Sequence, residues 1–218
     1  MKPCRLFRPG ILKAAGTAAL VLALTACSVS LFPEKQPQRQ FSLPYHFQAD
    51  SSSPQAQGGV PVLRIDRPRA SGLIGSKRIV LETRPNELAA YGSVRWVTEA
   101  PELLRDHLLR ALREDPRIGT VVSDDSGAAS QITLNSSMLE FQEDRAGDPR
   151  RVRLFLQAQL VENGSRTVLA TRDFRINIPL QSDATGGSIE DAVTAFGRAA
   201  DRLSAEVADW VAGVLENY

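Results

Sequence analysis

Cysteine is nearly absent from this 218-residue chain: two occur, Cys4 and Cys27. Such a pair cannot build a disulfide framework or a thiolate metal site. Histidine is as scarce, with only His46 and His107, and neither has a neighbour at metal-ligand spacing. Long apolar runs are missing too. The longest, Ala14 to Leu24, is broken only by Gly16 and Thr17. A membrane-spanning helix needs about 20 apolar residues, so this run is too short to span. Positive charge is not in excess: the whole chain is +1. Of its 26 basic residues four precede Cys27, which leaves 22 against 25 acidic, a net −3. That balance argues against a nucleic-acid partner and offers no polybasic patch for anionic lipid. Only four residues are lysine, which reads as genome composition. No serine sits in a nucleophile-elbow pattern, and no glycine-rich phosphate loop follows a strand. No internal repeat is visible.

What the start of the chain does have is a targeting pattern. Lys2, Arg5, Arg8 and Lys13 precede the short apolar run, with no acid before Cys27. The run ends in Leu24-Thr25-Ala26-Cys27. Small residues at 25 and 26 suit a peptidase pocket, and the thiol after them can take a diacylglyceryl group. This four-residue stretch resembles the bacterial lipobox. It predicts a signal peptide over 1–26 and a mature chain that starts at a lipidated Cys27. Cys4 leaves with the signal, so no internal disulfide remains. One acyl chain anchors marginally, and several anchor stably. The residue after Cys27 is Ser28 rather than Asp, and resemblance to known lipoprotein sorting then implies the outer membrane, facing the periplasm. Residues 27–39 read as the lipidated cysteine and a polar, proline-containing tether. Twelve flexible residues span about 20 Å on average and about 40 Å at full stretch.

Residues 40–218 read as one periplasmic domain. Phe41, Leu43, Tyr45 and Phe47 alternate with polar residues, which predicts a short strand, at a sheet edge because of Pro44. Further strands are expected over Val60–Ile65, Arg78–Thr83, Tyr91–Val97 and Ile118–Val122. Thr98 is placed as the cap of an amphipathic helix over 99–114, with Leu104, Leu108, Ala111 and Leu112 on one face. Ile132, Leu134 and Met138 are in one phase, and Leu139 and Phe141 in the other, so a bulge is expected near Ser136-Ser137. Val152 to Leu160 alternate cleanly, as do Val168 to Ile178. Both strands bury even-numbered residues, so the hairpin between them needs an odd loop. The expected loop is Glu162-Asn163-Gly164, with Gly164 left-handed.

Ser188 and Asp191 form a capping box at the head of the last helix. Its apolar positions are Ile189, Val193, Phe196, Ala200, Leu203, Val207, Trp210 and Val214, a heptad seam. That seam either lies across the sheet or is shared with a second copy, a homo-oligomer through the C-terminal helix. The fold expected is mixed α+β: one mostly antiparallel or mixed sheet of six to eight strands, with two main helices on one face.

Chemistry-bearing groups are few. The carboxylates cluster at Asp124-Asp125 and at Glu140, Glu143, Asp144 and Asp148. Such groups at strand ends can do acid–base work or hold a hard cation, but the calcium-loop spacing is missing and the expectation is solvated surface. Neither a catalytic residue nor a metal or cofactor site is predicted. Asn135-Ser136-Ser137 and Asn163-Gly164-Ser165 match the glycosylation pattern by chance.

The order of motifs carries a resemblance. Phe41-Ser42-Leu43 is followed by Val62 to Ile65, then Gly72 or Gly75 with Arg78-Ile79-Val80, then Tyr91 to Trp96, then Pro101-Glu102-Leu103-Leu104. Phe141 ends a strand, and a helix carrying Trp210-Val211 closes the domain. The set resembles the ABC-type transport auxiliary lipoproteins, including their paraquat-inducible C-type branch, across nearly the whole mature chain. Departures are Phe41 for the usual Tyr and Gln142 for the usual Glu. The resemblance implies a non-catalytic partner of a lipid transport machine: an ATPase and a permease working with a periplasmic protein of the mammalian-cell-entry (MCE) type. Candidate motif and interface residues are Tyr91, Arg95, Trp96 and Trp210. Trp96, closing a strand before a helix, is either a core anchor or part of an interface. A lipid carrier with an acyl chain in an internal cavity is the alternative, and an envelope hydrolase a third.

Overall fold

A computed structural model describes residues 38–48, 59, 61–181 and 187–218. The elements, in chain order, are β1 (Arg39–Phe41), β2 (Leu63–Ile65), β3 (Arg78–Arg84), β4 (Glu87–Trp96), α1 (Ala100–Glu114), β5 (Val121–Ser123), β6 (Ile132–Asp144), β7 (Arg151–Glu162), β8 (Val168–Pro179) and α2 (Ile189–Leu215). Gln38–Tyr218 form one compact unit. The signal, Cys27 and most of the tether lie outside the described residues.

Alternation makes the long strands. In β7, Val152, Leu154, Leu156, Ala158 and Leu160 are all at most 1% exposed, while Gln157 and Gln159 are exposed. Burying each leucine stabilises the fold by about 1.5–3 kcal/mol, and only one register puts all of them inside. Their antiparallel partners in β8 match: Leu156 faces Phe174, and Leu154 faces Ile176. The sheet is mixed and eight-stranded. β6 is its spine. One edge pairs throughout with β7. The other edge is shared: β2 runs parallel to residues 132–134, and β3 runs parallel to residues 142–144. Beyond β2 lies β5, and beyond β3 lie β4 and then β1. Between the two halves the chain keeps to the β6 edge. Arg69 N–H donates to Ser136 O at 2.9 Å, and Met138 N–H donates to Arg69 O at 2.8 Å.

Both helices cover one face. The α2 seam is consumed there: Phe196, Ala200, Leu203 and Val207 are 0% exposed within the chain's own core. The shared-seam reading is thereby corrected, because the sheet and α1 already take the apolar stripe. The predicted capping box is present, with Asp191 N–H donating to Ser188 Oγ at 3.1 Å and Ser188 N–H to Asp191 Oδ2 at 2.7 Å.

Other expectations moved. The bulge falls at Leu139, between Met138 and Glu140, because Ser136 and Ser137 still pair with Ala158 and Gln157. It throws Leu139 outward and returns Phe141 to the core. β6 does not end at Phe141 but runs to Asp144. At the β7–β8 hairpin, Glu162 N–H meets Thr167 O, so four residues intervene, and Arg166 rather than Gly164 takes the left-handed conformation. A bulge after Leu160 restores the even-to-even pairing. Thr98 does not cap α1. The cap residue is Glu99, and Thr98 Oγ1 donates to Glu102 Oε2 at 2.7 Å instead. The first strand is 39–41 rather than 41–47, and it pairs parallel with β4. β5 likewise begins at Val121, three residues late, and Ile118 is buried ahead of it.

Candidate functional site

Residues 42–48 form a strap rather than a strand. The alternation seen in the sequence is real, since Leu43, Tyr45 and Phe47 pack on the core. They do so from outside the sheet, across the two helices. Pro44 lies against Gly197 of α2, where a Cβ would come within 2.8 Å of the proline Cβ. Tyr45 donates to Glu114 Oε2 at 2.7 Å and lies 4.8 Å, centroid to centroid, from the His107 ring. Burial, then Glu114, raises the Tyr45 phenol far above its usual range. One carboxylate, Asp201 of α2, serves both histidines. His46 N–H donates to its Oδ1 at 3.1 Å, and His107 Nε2 stands 3.0 Å from the same oxygen. His107 is buried, and burial pulls its pKa down against the opposing pull of Asp201. A neutral imidazole that donates to Asp201 fits this geometry. Among the described residues, no serine hydroxyl is bonded to either histidine. The arrangement clamps the strap.

The second cluster corrects the solvated-surface expectation for the Glu140–Asp148 group. Glu143 is 0% exposed. It accepts from Tyr91 Oη, from Arg145 Nε at 3.1 Å and from Arg150 Nε at 2.8 Å. Arg145 also donates to Tyr91 Oη at 2.7 Å. Burial, then Glu143, pushes the Tyr91 phenol up to about 12. On the other face of the sheet, Arg153 Nη2 bridges Glu82 at 2.8 Å and Glu140 at 3.0 Å. Asp144 is buried beside them, 3.8 Å from Arg153. Asp148 is exposed, as expected. The register explains the burial: β6 continues into the sheet, so its acids need arginine partners from β7 and the loop before it. Asp124-Asp125 is exposed as expected, with Asp124 held 2.6 Å from Arg105.

The four motif residues do not converge. Trp96 is 0% exposed, with Phe196 edge-on at 5.4 Å and Phe141 at 6.0 Å. Arg95 and Tyr91 are half-buried on β4. Trp210 is half-buried against Phe174 of β8, on the opposite side of β6 from β4. Among the described residues, no group of three or more His, Cys, Asp or Glu side chains is placed to hold a metal, and no helix is long and apolar enough to cross a membrane.

Comparison with known proteins decides the family. The model of the ABC-type transport auxiliary lipoprotein component matches residues 41–208. The chain belongs to this family. The match runs from the end of β1 through most of α2, so the strap, both ion-pair clusters and the Trp96 core are all within the auxiliary lipoprotein component. Among solved structures, protein XCC0632 from Xanthomonas campestris is 23% identical, with a TM-score of 0.72, covering 81% of this chain and 96% of that one. A second, an uncharacterized protein, is 16% identical with a TM-score of 0.61, over 81% and 99%. At these identities the likeness concerns the auxiliary-component fold alone. No curated protein matches the sequence.

Sequence reasoning missed Asp201, Arg145, Arg150 and Arg153. Asp201 had a faint signal: it is an acid directly beside the α2 stripe, next to Ala200. The arginines had none. The partners of Arg153 are set by the β6–β7 register, and those of Arg145 and Arg150 by the burial of Glu143, which no local pattern encodes.

Proposed function

We propose that this auxiliary lipoprotein component is cleaved before Cys27 and lipidated there. It is then held at the periplasmic face of the outer membrane and acts by binding, without catalysis, as an adaptor of an MCE-type ABC lipid transport system. The observation that carries the reading is the family match over residues 41–208. The sequence supports the location through the lipobox-like Leu24-Thr25-Ala26-Cys27. The geometry is compatible with a docking role. Its titratable clusters are taken up in ion pairs that hold the strap and strand ends, and the space between helices and sheet is filled by Trp96, Phe141, Phe196 and their neighbours. That filling leaves the internal-cavity carrier without a supporting observation. Tyr91 and Arg95, half-exposed on β4, would offer surface to a partner, while Trp96 and Trp210 would hold the elements beneath.

The test is affinity purification of the full lipidated chain in mild detergent, with partners identified by mass spectrometry. Recovery of an MCE-domain protein with permease and ATPase subunits in a stable ratio is expected. Recovery of the chain alone, with phospholipid extracted from it, would overturn the adaptor reading.

A further inference from the structure

The wet face of the sheet carries a cleft that the family assignment does not explain. It straddles Arg69, where the chain between β2 and β3 runs along β6 and forms a parallel bridge to Ser137. One part, of about 220 Å3, has a floor of Asn135, Ser137, Gln157 and Gln159. These come from one sheet face, since Asn135 pairs with Gln159 and Ser137 with Gln157. The other part, of about 310 Å3, is lined by Ile74, Met138 and Leu139. Arg69 and Ser137 line both, so a polar part and a more apolar part adjoin at these two residues.

Two features give it a ligand chemistry. The first is charge. Among the described residues, the Arg69 side chain makes no hydrogen bond or ion pair, and no acid lines either part. The acids nearby in the register are already engaged: Glu140 pairs with Arg153, and Asp173 with Arg175 and, at the rim, with the Gln157 amide, which leaves Asn135, Ser137 and Gln159 as the free floor. Asp66, three residues back, feels the Arg69 charge without pairing with it. A lone guanidinium above amides and hydroxyls is a donor-rich seat for an anionic oxygen group. The second is the bulge, which turns Leu139 outward until it is 44% exposed, next to that seat. Bulges re-aim side chains in this way, and a large apolar side chain beside a polar pocket is the informative exception on a wet face.

The geometry points to a binding site for an amphiphile with a net-negative headgroup, such as an anionic phospholipid. The headgroup lies against Arg69 and the Asn135–Gln159 floor, and the first carbons of a chain lie over Ile74 and Leu139. The site is on the outer face of the sheet, so it differs from a carrier's internal cavity. It does not depend on the adaptor reading, and the copurification above can fail while this site stands.

The test uses the purified full chain in neutral-detergent micelles doped with phosphatidylglycerol that carries a photoreactive diazirine near the head of its acyl chain. After irradiation, adducts are mapped by peptide mass spectrometry. Labelling is expected on the peptides holding Ile74 and Leu139. It should fall about tenfold in Arg69→Glu and in Leu139→Asp, which corresponds to a loss of about 1.4 kcal/mol in affinity. Both side chains are exposed, so thermal unfolding of each variant should match the parent and exclude misfolding. Unlabelled phosphatidylglycerol should compete, and millimolar inorganic phosphate should not. Equal competition by phosphate would reveal a simple anion site and overturn the proposal. So would labelling that maps elsewhere or persists in both variants.

Discussion

Trp96 sits edge-on to Phe196 and close to Phe141, with none of its surface in water. Removing a buried tryptophan costs about 3–5 kcal/mol, because the apolar contact and the cavity both count. Trp96→Ala should therefore show that loss in urea unfolding of the free protein, before any partner is added. An unchanged midpoint would return Trp96 to the interface. His107 gives a pH-dependent counterpart. Burial lowers its pKa below the usual 6.5, with Asp201, Arg110 and His46 around it. The unfolded chain then takes up a proton at a pH where the folded chain resists it. Stability is full above about pH 6.5 and is lost as pH falls toward the folded value. His107→Gln keeps an N–H for Asp201 but cannot titrate. Its stability should fall less than the parent's between pH 7 and 5, measured by urea midpoints. Parallel pH profiles would show that His107 titrates alike in both states.

At the scale of elements, the strap depends on one missing side chain. A Cβ at Gly197 would meet the Pro44 Cβ at 2.8 Å and its carbonyl oxygen at 2.9 Å. Helix propensity favours alanine over glycine by about 1 kcal/mol, whereas overpacking costs about 1–3 kcal/mol. Backbone stands on one side of the contact, so the clash wins. Gly197→Ala should destabilise the protein and raise hydrogen exchange in residues 42–48. Gly213→Ala is the control, because nothing lies within 4 Å of its Cβ site. That variant should gain a few tenths of a kcal/mol, the benefit being small near a helix end. If both variants behaved alike, the Pro44–Gly197 contact would not be holding the strap.

At the scale of the molecule, the long strands and both helices were legible because each carries its own period. β7 and β8 repeat every two residues, α2 every three or four, and solvent sorts the two sides. The short elements were not. β1, β2 and β5 hold three residues each and exist only as partners of longer strands, so their limits slipped. Phe41 to Phe47 shows the ambiguity well. Its alternation is that of any extended segment with one side on a core, and that core can be a helix pair as easily as a sheet. Of the candidate site, Trp96 and Tyr91 could be named in advance. The partners of Tyr91 could not, because Glu143 and Arg145 lie over fifty residues away along the chain.

The sequence by itself determined the class of the molecule: a mixed α+β domain preceded by a targeting pattern, with family motifs in order. Those properties are local, resting on periodicity, capping residues and the spacing of a few side chains. The tertiary structure decided which way the α2 stripe faces, because a heptad seam fits a sheet as well as a second helix. It decided that Glu143 and Asp144 of β6 are buried and paired, since burial depends on how far a strand continues and on what lies beside it. It also placed Arg69 next to Ser137 and Gln157, which come together only through strand register.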